Sequence, residues 1–529
     1  MGAAHTSTTG SDATTPLDFW SQTAPRDWVA YGMCFPHHGD RKEREKAMGA
    51  LSSALNKLAK DRPRYAGRLR LSRYSDQPGV LLWTPSTGID AKFKDVSGEI
   101  DETYDQLRAK GFPASFFPQP RADATQSDKN PPAGANGVAA APAAVSTPET
   151  KHEVPVVAIR GFFIKGGLIL QICLHHAFGD GYCMRDFLED FAAETRGEVL
   201  KRNSDRRKLH LPLDFLHDRY TSLGIPIPRG APREATAALL ASRCPEYTFD
   251  PQWLTGPTQP YRVPPPSQER TGCVIASIGK VKLDALRRSL RSCQGQEPSE
   301  YVALSTLLWA YVTLHRSEME TCREKMATLS NPVNWKRNLS HGPLIGVLDD
   351  YFGNATAKCL TIVERSLLMD AARLSSAARN VSDAGLEGDV RLDELRGIAA
   401  TIRKNINAVD EAFVALRTGL YRALPDPRNL GLVDDPYSAA YMQFNTWKPF
   451  GADAKFKIPG VPDDPRGPGG ACAESIRKVM MGKQFDFRNV LIMPARRFSD
   501  DTEILISLPA RSLSALLKDK GFTRWFSIR

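Results

Sequence analysis

The chain has no apolar run approaching the roughly 18 residues needed to cross a bilayer, so no membrane span is expected. Residues Met1 to Thr15 lack a charged start followed by an apolar core, so they do not resemble a secretory signal. Met1-Gly2-Ala3-Ala4-His5-Thr6 fits the loose N-myristoylation pattern, but that pattern is short, and a disordered tail over residues 1–15 is the preferred reading. None of the nine cysteines pairs with another at metal-ligand spacing. An odd count in a long chain points to reduced thiols in a cytoplasmic protein, with no metal site. Charge of one sign is also scarce: a formal charge of +10 over 529 residues is modest. It suits an anionic cosubstrate such as a phosphate-bearing coenzyme, and equally suits solubility alone. The basic runs at 41–46 and 206–208 are too short to argue for nucleic acid.

What is present is an ordinary soluble composition, 42% hydrophobic and 25% charged, with length enough for two or more domains. Val29 to Phe35 predicts a strand closed by Pro36. Met48, Leu51, Leu55 and Leu58 recur at helical spacing and predict a helix over 44–60. Residues 118–150 are rich in Ala, Pro, Gly and Ser and cannot bury enough surface to offset ordering, so they predict a disordered insertion. Val154 to Ile164 and Gly167 to Leu174 predict a hairpin turning at Lys165-Gly166-Gly167, followed by a helix from Tyr182 to about Arg196. The proline-rich stretch 201–268 predicts a crossover linker. A second half, 269–529, again mixes both element types: strands at Cys273–Ile278, Asn489–Met493 and Glu503–Leu508, and helices near 299–315, 365–383, 406–424 and 510–520.

The most specific segment is His175-His176-Ala177-Phe178-Gly179-Asp180-Gly181, directly after an apolar strand. It offers an imidazole as a base, a carboxylate to fix local geometry and a glycine to leave room. Adjacent strand residues face opposite sides, so only one of the two histidines can meet a given reacting atom. Parity groups His176 with Leu174 and Ile172. It also argues against a metal pair and against a Cys173–His176 nucleophile couple. A neutral-range imidazole can take the proton of an acceptor hydroxyl as that hydroxyl attacks a thioester, and no covalent enzyme intermediate is needed. The oxyanion that results needs donors aimed at it. The second double histidine, His37-His38, lies in a loop after Pro36 and is not assigned chemistry.

These residues resemble the BAHD acyltransferases and their fungal relatives, the trichothecene 3-O-acetyltransferase-like transferases. The resemblance runs through Pro16-Leu17-Asp18, Tyr65-Ala66-Gly67-Arg68-Leu69, the His176-x-x-x-Asp180-Gly181 signature, Ala303 to Trp309, Tyr351-Phe352-Gly353-Asn354, Asn445-Thr446-Trp447 and Leu491-Ile492-Met493-Pro494. It implies an α/β (α+β) fold of two chloramphenicol-acetyltransferase-like domains, each a mixed sheet flanked by helices. The domains would cover 16–200 and 269–529, joined by the crossover loop and enclosing a tunnel. Acyl-CoA, acetyl-CoA first among them, would enter as cosubstrate with no permanently bound cofactor. A small-molecule acceptor, a hydroxyl of a terpenoid, alkaloid or polyketide, would meet it at His176 in a monomeric protein. The resemblance also makes Thr446, with Asn445 and Trp447 close by, the candidate donors for the oxyanion, and it implies a basic partner for Asp180. Asn334-Trp335-Lys336-Arg337-Asn338 stands where the family has Asp-x-Arg-x-Arg, making Arg337 the first candidate and Lys336 the second. The family's Asp-Phe-Gly-Trp-Gly signature is missing; its place falls at Asp453 to Lys457, followed by an insertion at Pro459 to Gly470, and Phe485-Asp486-Phe487 is not taken as a substitute. Two other classes share the His-Asp pattern or the fold: a condensation-type enzyme using carrier-bound acyl groups, and a non-catalytic binding module.

Overall fold

The computed structural model describes residues 14–74, 76, 78–113, 116, 153–200, 225, 230–250, 271–339, 348, 351–377, 393–465, 467, 469–479, 489–497 and 499–529. The predicted tail lies outside these residues up to position 13, as do the insertion at 118–150 and the triplet Phe485-Asp486-Phe487. Thr15 is already ordered: Thr15–Pro16 pairs with Trp83 and Leu82.

Two mixed sheets carry the fold. The first is five-stranded, in spatial order Ser475–Lys478, Trp28–Pro36, Gly167–His175, Val157–Ile164 and Asp90–Asp95. Its centre is the expected hairpin, whose Lys165-Gly166 turn places Gly166 at φ +82°, a conformation glycine adopts at no steric cost. The strand Gly167–His175 is buried on both faces, as a central strand between two layers must be. The register sets Trp28 opposite His175. Against this sheet lies the helix Arg41–Asp61, started by the Asp40 carboxylate accepting from Glu43 N at 2.9 Å. Its buried face is Ala47, Leu51, Ala54, Leu55, Leu58 and Ala59; the three leucines of the expected set are buried and Met48 is half-buried.

The second sheet is seven-stranded, in the order Thr356–Glu364, Met326–Asn334, Tyr441–Thr446, Asn489–Ile492, Asp501–Pro509, Thr271–Gly279 and Ser527–Ile528. The helix Glu300–Met319 packs over it and is buried all round from Val302 to Arg316, which makes it a core element rather than an amphipathic one. Ser299 caps it, its side chain accepting from Val302 N.

Three departures from the sequence reading have physical causes. The division into halves is not linear along the chain: Ser475–Lys478 pairs with Tyr31–Cys34 of the first sheet, and Trp447, Phe450 and Phe456 belong to the first core. That strand is short and charged, so its alternation carries little hydrophobic signal. Part of the presumed linker is folded. Arg233–Ala241 is a helix whose Ala237, Leu240 and Ala241 face a third core with Trp20, Trp335 and Tyr421, and Tyr247–Phe249 pairs with Leu430–Leu432. Surrounding prolines mask that short period. The helix expected over 406–424 starts later, at Glu411–Ala423, because Asp410 accepts from Phe413 N and caps it, and a separate helix, Asp393–Asn407, precedes it. No helix among the described residues is long and apolar enough to cross a membrane.

The third core contains a buried bidentate pair: Arg417 Nε and Nη2 donate to Glu246 Oε1 and Oε2 at 2.7 and 2.8 Å. Removing one member strands a buried charge and costs about 3–5 kcal/mol. Arg417→Met is therefore expected to lower the urea midpoint strongly, whereas the double variant Arg417→Met, Glu246→Leu recovers much of the loss. Equal losses in the single and double variants would show that the pair is not what holds this region.

Candidate active site

The strand Gly167–His175 ends one residue before His176, which sits in the turn that follows. His176 is thus released from strand parity, while His175 is still bound by it. The His175 side chain is fully buried, edge-on to Trp28 at 5.3 Å between centroids, and its Nδ1 accepts from Ala177 N at 3.3 Å. Burial, helped by His176 and Arg26, pulls the His175 imidazole down to about 3, so this ring is neutral and structural. His176 is half-buried and lines a large cavity. Its backbone is held from both sides: His176 N donates to Asp27 O at 2.7 Å, and Asn354 Nδ2 donates to His176 O at 2.7 Å. Its Nδ1 is buried without a hydrogen-bond partner among the described residues, leaving Nε2 as the nitrogen for a ligand. Asp27 and Asn354 are positioning residues that the sequence reading did not single out. Asn354 stood inside the quoted Tyr-Phe-Gly-Asn segment, but Asp27 gave no signal, because it acts through a backbone carbonyl.

Asp180 stands at the start of the helix Gly181–Thr195. One carboxylate oxygen accepts from Tyr182 N at 3.0 Å and Cys183 N at 3.3 Å. The other accepts from Ala355 N at 3.0 Å and the Thr356 hydroxyl at 3.4 Å. These four bonds come from backbone amides and a hydroxyl rather than from the expected basic side chains. Lys336 Nζ donates to Tyr351 O at 3.0 Å, and Arg337 is exposed at the cavity. Three backbone amides and the Thr356 hydroxyl thus reach both carboxylate oxygens, from a helix end and a strand start. Gly181 leaves room as expected: a Cβ there would lie 2.1 Å from the Phe450 ring.

The opposite wall comes from the end of the strand Tyr441–Thr446. Asn445, Thr446 and Trp447 line the same cavity as His176, which has a volume of about 1090 Å³. Asn445 Oδ1 accepts from Thr446 N at 2.7 Å, and Thr446 Oγ1 accepts from Lys448 N at 3.2 Å. Each acceptor is thus occupied, and the Asn445 amide and Thr446 hydroxyl keep their own protons to donate. The Trp447 ring is anchored against Tyr31 at 5.0 Å. In the region of the missing signature, Asp453 Oδ1 accepts from Arg497 N and Phe456 is fully buried against Phe35 and Phe191, so the segment keeps a packing role without the motif. His37 is buried and bonded through Nε2 to Pro459 O at 3.1 Å, away from the cavity lining.

Residues 28–192 match the trichothecene 3-O-acetyltransferase-like N-terminal domain, and residues 140–387 match the Transferase family. The chain belongs to the BAHD-type acyltransferases. Its sequence is similar to eremophilane O-acetyltransferase ORF8 of Penicillium roqueforti (strain FM164), 23% identical over 470 residues, 82% of this chain and 87% of that protein. It is likewise similar to eremophilane O-acetyltransferase prx11 of Penicillium rubens, 24% identical over the same shares. The fold matches the crystal structure of F. sporotrichioides TRI101 complexed with coenzyme A and T-2, with a TM-score of 0.67 at 16% identity over 97% of this chain and 99% of that one. It also matches vinorine synthase, with a TM-score of 0.55 at 13% identity over 97% and 95%. These two likenesses are of fold.

In this acyltransferase the two adjacent histidines separate into a packed ring and a cavity ring, and the packed one leaves a pH signature. Unfolded His175 titrates near 6.5 and folded His175 near 3. Below pH 6.5 the unfolded chain takes up a proton that the folded chain refuses. Stability from this residue is full above that pH and falls by about 1.4 kcal/mol per pH unit below it. The melting temperature of the wild type should therefore drop more steeply between pH 6.5 and 5 than that of His175→Gln. Parallel curves for the two proteins would contradict the buried neutral assignment.

Proposed function

We propose that this acyltransferase moves an acetyl group from acetyl coenzyme A to a hydroxyl of a terpenoid-like specialised metabolite, with His176 as the base. The observation that carries the reading is the placement of His176 and the Asn445-Thr446-Trp447 turn on one cavity built from both sheets. At about 1090 Å³ that cavity exceeds the roughly 300–1,000 Å³ of a single small-molecule site, which favours two substrates held together. The similar Penicillium proteins are named as eremophilane O-acetyltransferases, and the F. sporotrichioides neighbour was solved with coenzyme A and T-2.

In the proposed reaction His176 Nε2 takes the acceptor hydroxyl proton as that oxygen attacks the thioester carbonyl carbon. The Thr446 hydroxyl and the Asn445 amide donate to the oxyanion that forms. Collapse breaks the carbon–sulfur bond, and the departing thiolate receives the proton from the imidazolium, leaving an ester and free coenzyme A. Direct transfer is favoured because the nearby thiols are poor nucleophiles. Burial pushes the Cys173 thiol up to about 12 and the Cys183 thiol higher, and Cys183 donates to Gly353 O at 3.3 Å. Asp180 and Gly181 serve geometry rather than proton transfer. A cytoplasmic monomer is the proposed working form.

Thiol release from acetyl coenzyme A, assayed against a panel of hydroxylated terpenoids, should depend on acceptor. His176→Ala should lose about 10²-fold or more of that turnover with an unchanged melting temperature. Near-normal turnover in this variant would remove the base from the mechanism. Asp180→Ala should lose activity together with about 1–3 kcal/mol of stability, since it uncaps a helix and orphans the Ala355 amide. An unchanged thermal midpoint there would show that the clamp is not needed for folding.

A further inference from the structure

The strand Thr356–Glu364 brings a second polar side chain to the cavity. Thr356 and Lys358 are two residues apart and share a strand face, and both line the cavity. Thr356 is the residue whose hydroxyl meets Asp180, so the Lys358 backbone stands about 7 Å farther along the strand from that contact. The half-buried Lys358 ammonium makes no hydrogen bond or ion pair with the described residues. Two acids lie within electrostatic reach, and both are occupied. Glu246 is held bidentately by Arg417, and the Asp434 carboxyl is hydrogen-bonded by Thr328. Burial outweighs both acids and pulls the ammonium down to about 8, so near neutral pH it is still largely protonated but poorly solvated.

Apolar and aromatic side chains line the same cavity as Lys358. Pro332 is its cross-strand partner. Trp20, Tyr421 and Tyr247 follow one another through ring contacts of 4.9 and 5.8 Å, and the two tyrosine hydroxyls bond each other at 2.6 Å. Leu430 and Leu432, on the strand paired with Tyr247–Phe249, complete the wall. Arg337 also lines the cavity but is exposed, where water screens its charge. A desolvated donor with unused protons on the lining of the cavity is suited to one charge-assisted bond to an anionic oxygen.

We propose that Lys358 is a specificity-determining residue that holds a carboxylate of a mainly apolar acceptor while the acceptor hydroxyl reaches His176. The inference rests on the acyl-transfer reading of the cavity and narrows its substrate class to hydroxy acids of terpenoid size. One anion in the acceptor, rather than the several phosphates of a coenzyme, matches one poorly solvated cation.

Calorimetry without acyl donor tests this, using gibberellic acid and cholic acid, each paired with its methyl ester, as probes. Wild-type protein should bind at least one acid tenfold or more tighter than its ester. Lys358→Gln should bind both members alike, at the ester's affinity, and Lys358→Arg should keep part of the preference. The inference is overturned if no acid is preferred over its ester in the wild type. An acid preference that survives in Lys358→Gln overturns it equally, as does a loss in that variant confined to coenzyme A binding. Because these are binding measurements, they stand whether or not thiol release is seen. Thiol release with neutral alcohols but no acid preference would leave acyl transfer intact and remove only this inference.

Discussion

The site depends on one carboxylate that faces two ways. Asp180 caps the helix Gly181–Thr195 with one oxygen and holds the start of the strand Thr356–Glu364 with the other. The helix follows the strand and turn that lead to His176, and the strand Thr356–Glu364 lies in the other sheet, so a single side chain ties the two sides of the cavity together there. Charge-assisted bonds to backbone amides are short-range and directional, which is why this clamp fixes geometry as well as contributing stability. Asn354, one residue before that strand contact, closes the same junction by donating to the His176 carbonyl. His176 is therefore held through its backbone by both halves, and its ring remains available to the cavity.

Burial then sorts chemically similar groups into different roles. His175 and His176 differ by one position, yet one is packed against Trp28 and held neutral, and the other lies beyond the end of the strand. The thiols of Cys173 and Cys183 are suppressed by the same desolvation that makes the first core dry. Lys358 is the counterpart among cations: it is desolvated but is left facing the cavity rather than being paired, whereas Arg417 is paired and withdrawn from it.

Much of the site was legible in local pattern. The apolar strand, the Asp-Gly step and the amphipathic helix after it are short-range signals, and the helix begins at Gly181, one residue from the expected start. The partner of Asp180 was not legible. A nearby cluster of basic residues suggested an ion pair, but a carboxylate can be filled equally well by backbone amides, which every sequence possesses. The strands Met326–Asn334 and Thr356–Glu364 were also missed. In the second, the buried Ala357, Cys359 and Thr361 alternate with Thr356, Lys358 and Leu360, a period-two pattern built from small and polar residues with little hydrophobic contrast.

The sequence alone determined the chemistry-bearing motif, the mixed α/β character and the pairing of the central hairpin, because each rests on contacts between near neighbours in the chain. Only the tertiary structure decided how deeply each histidine is buried, what clasps Asp180, and that Ser475–Lys478 completes the first sheet. Those outcomes depend on where elements hundreds of residues apart come to rest, and on which groups lose water as they do so.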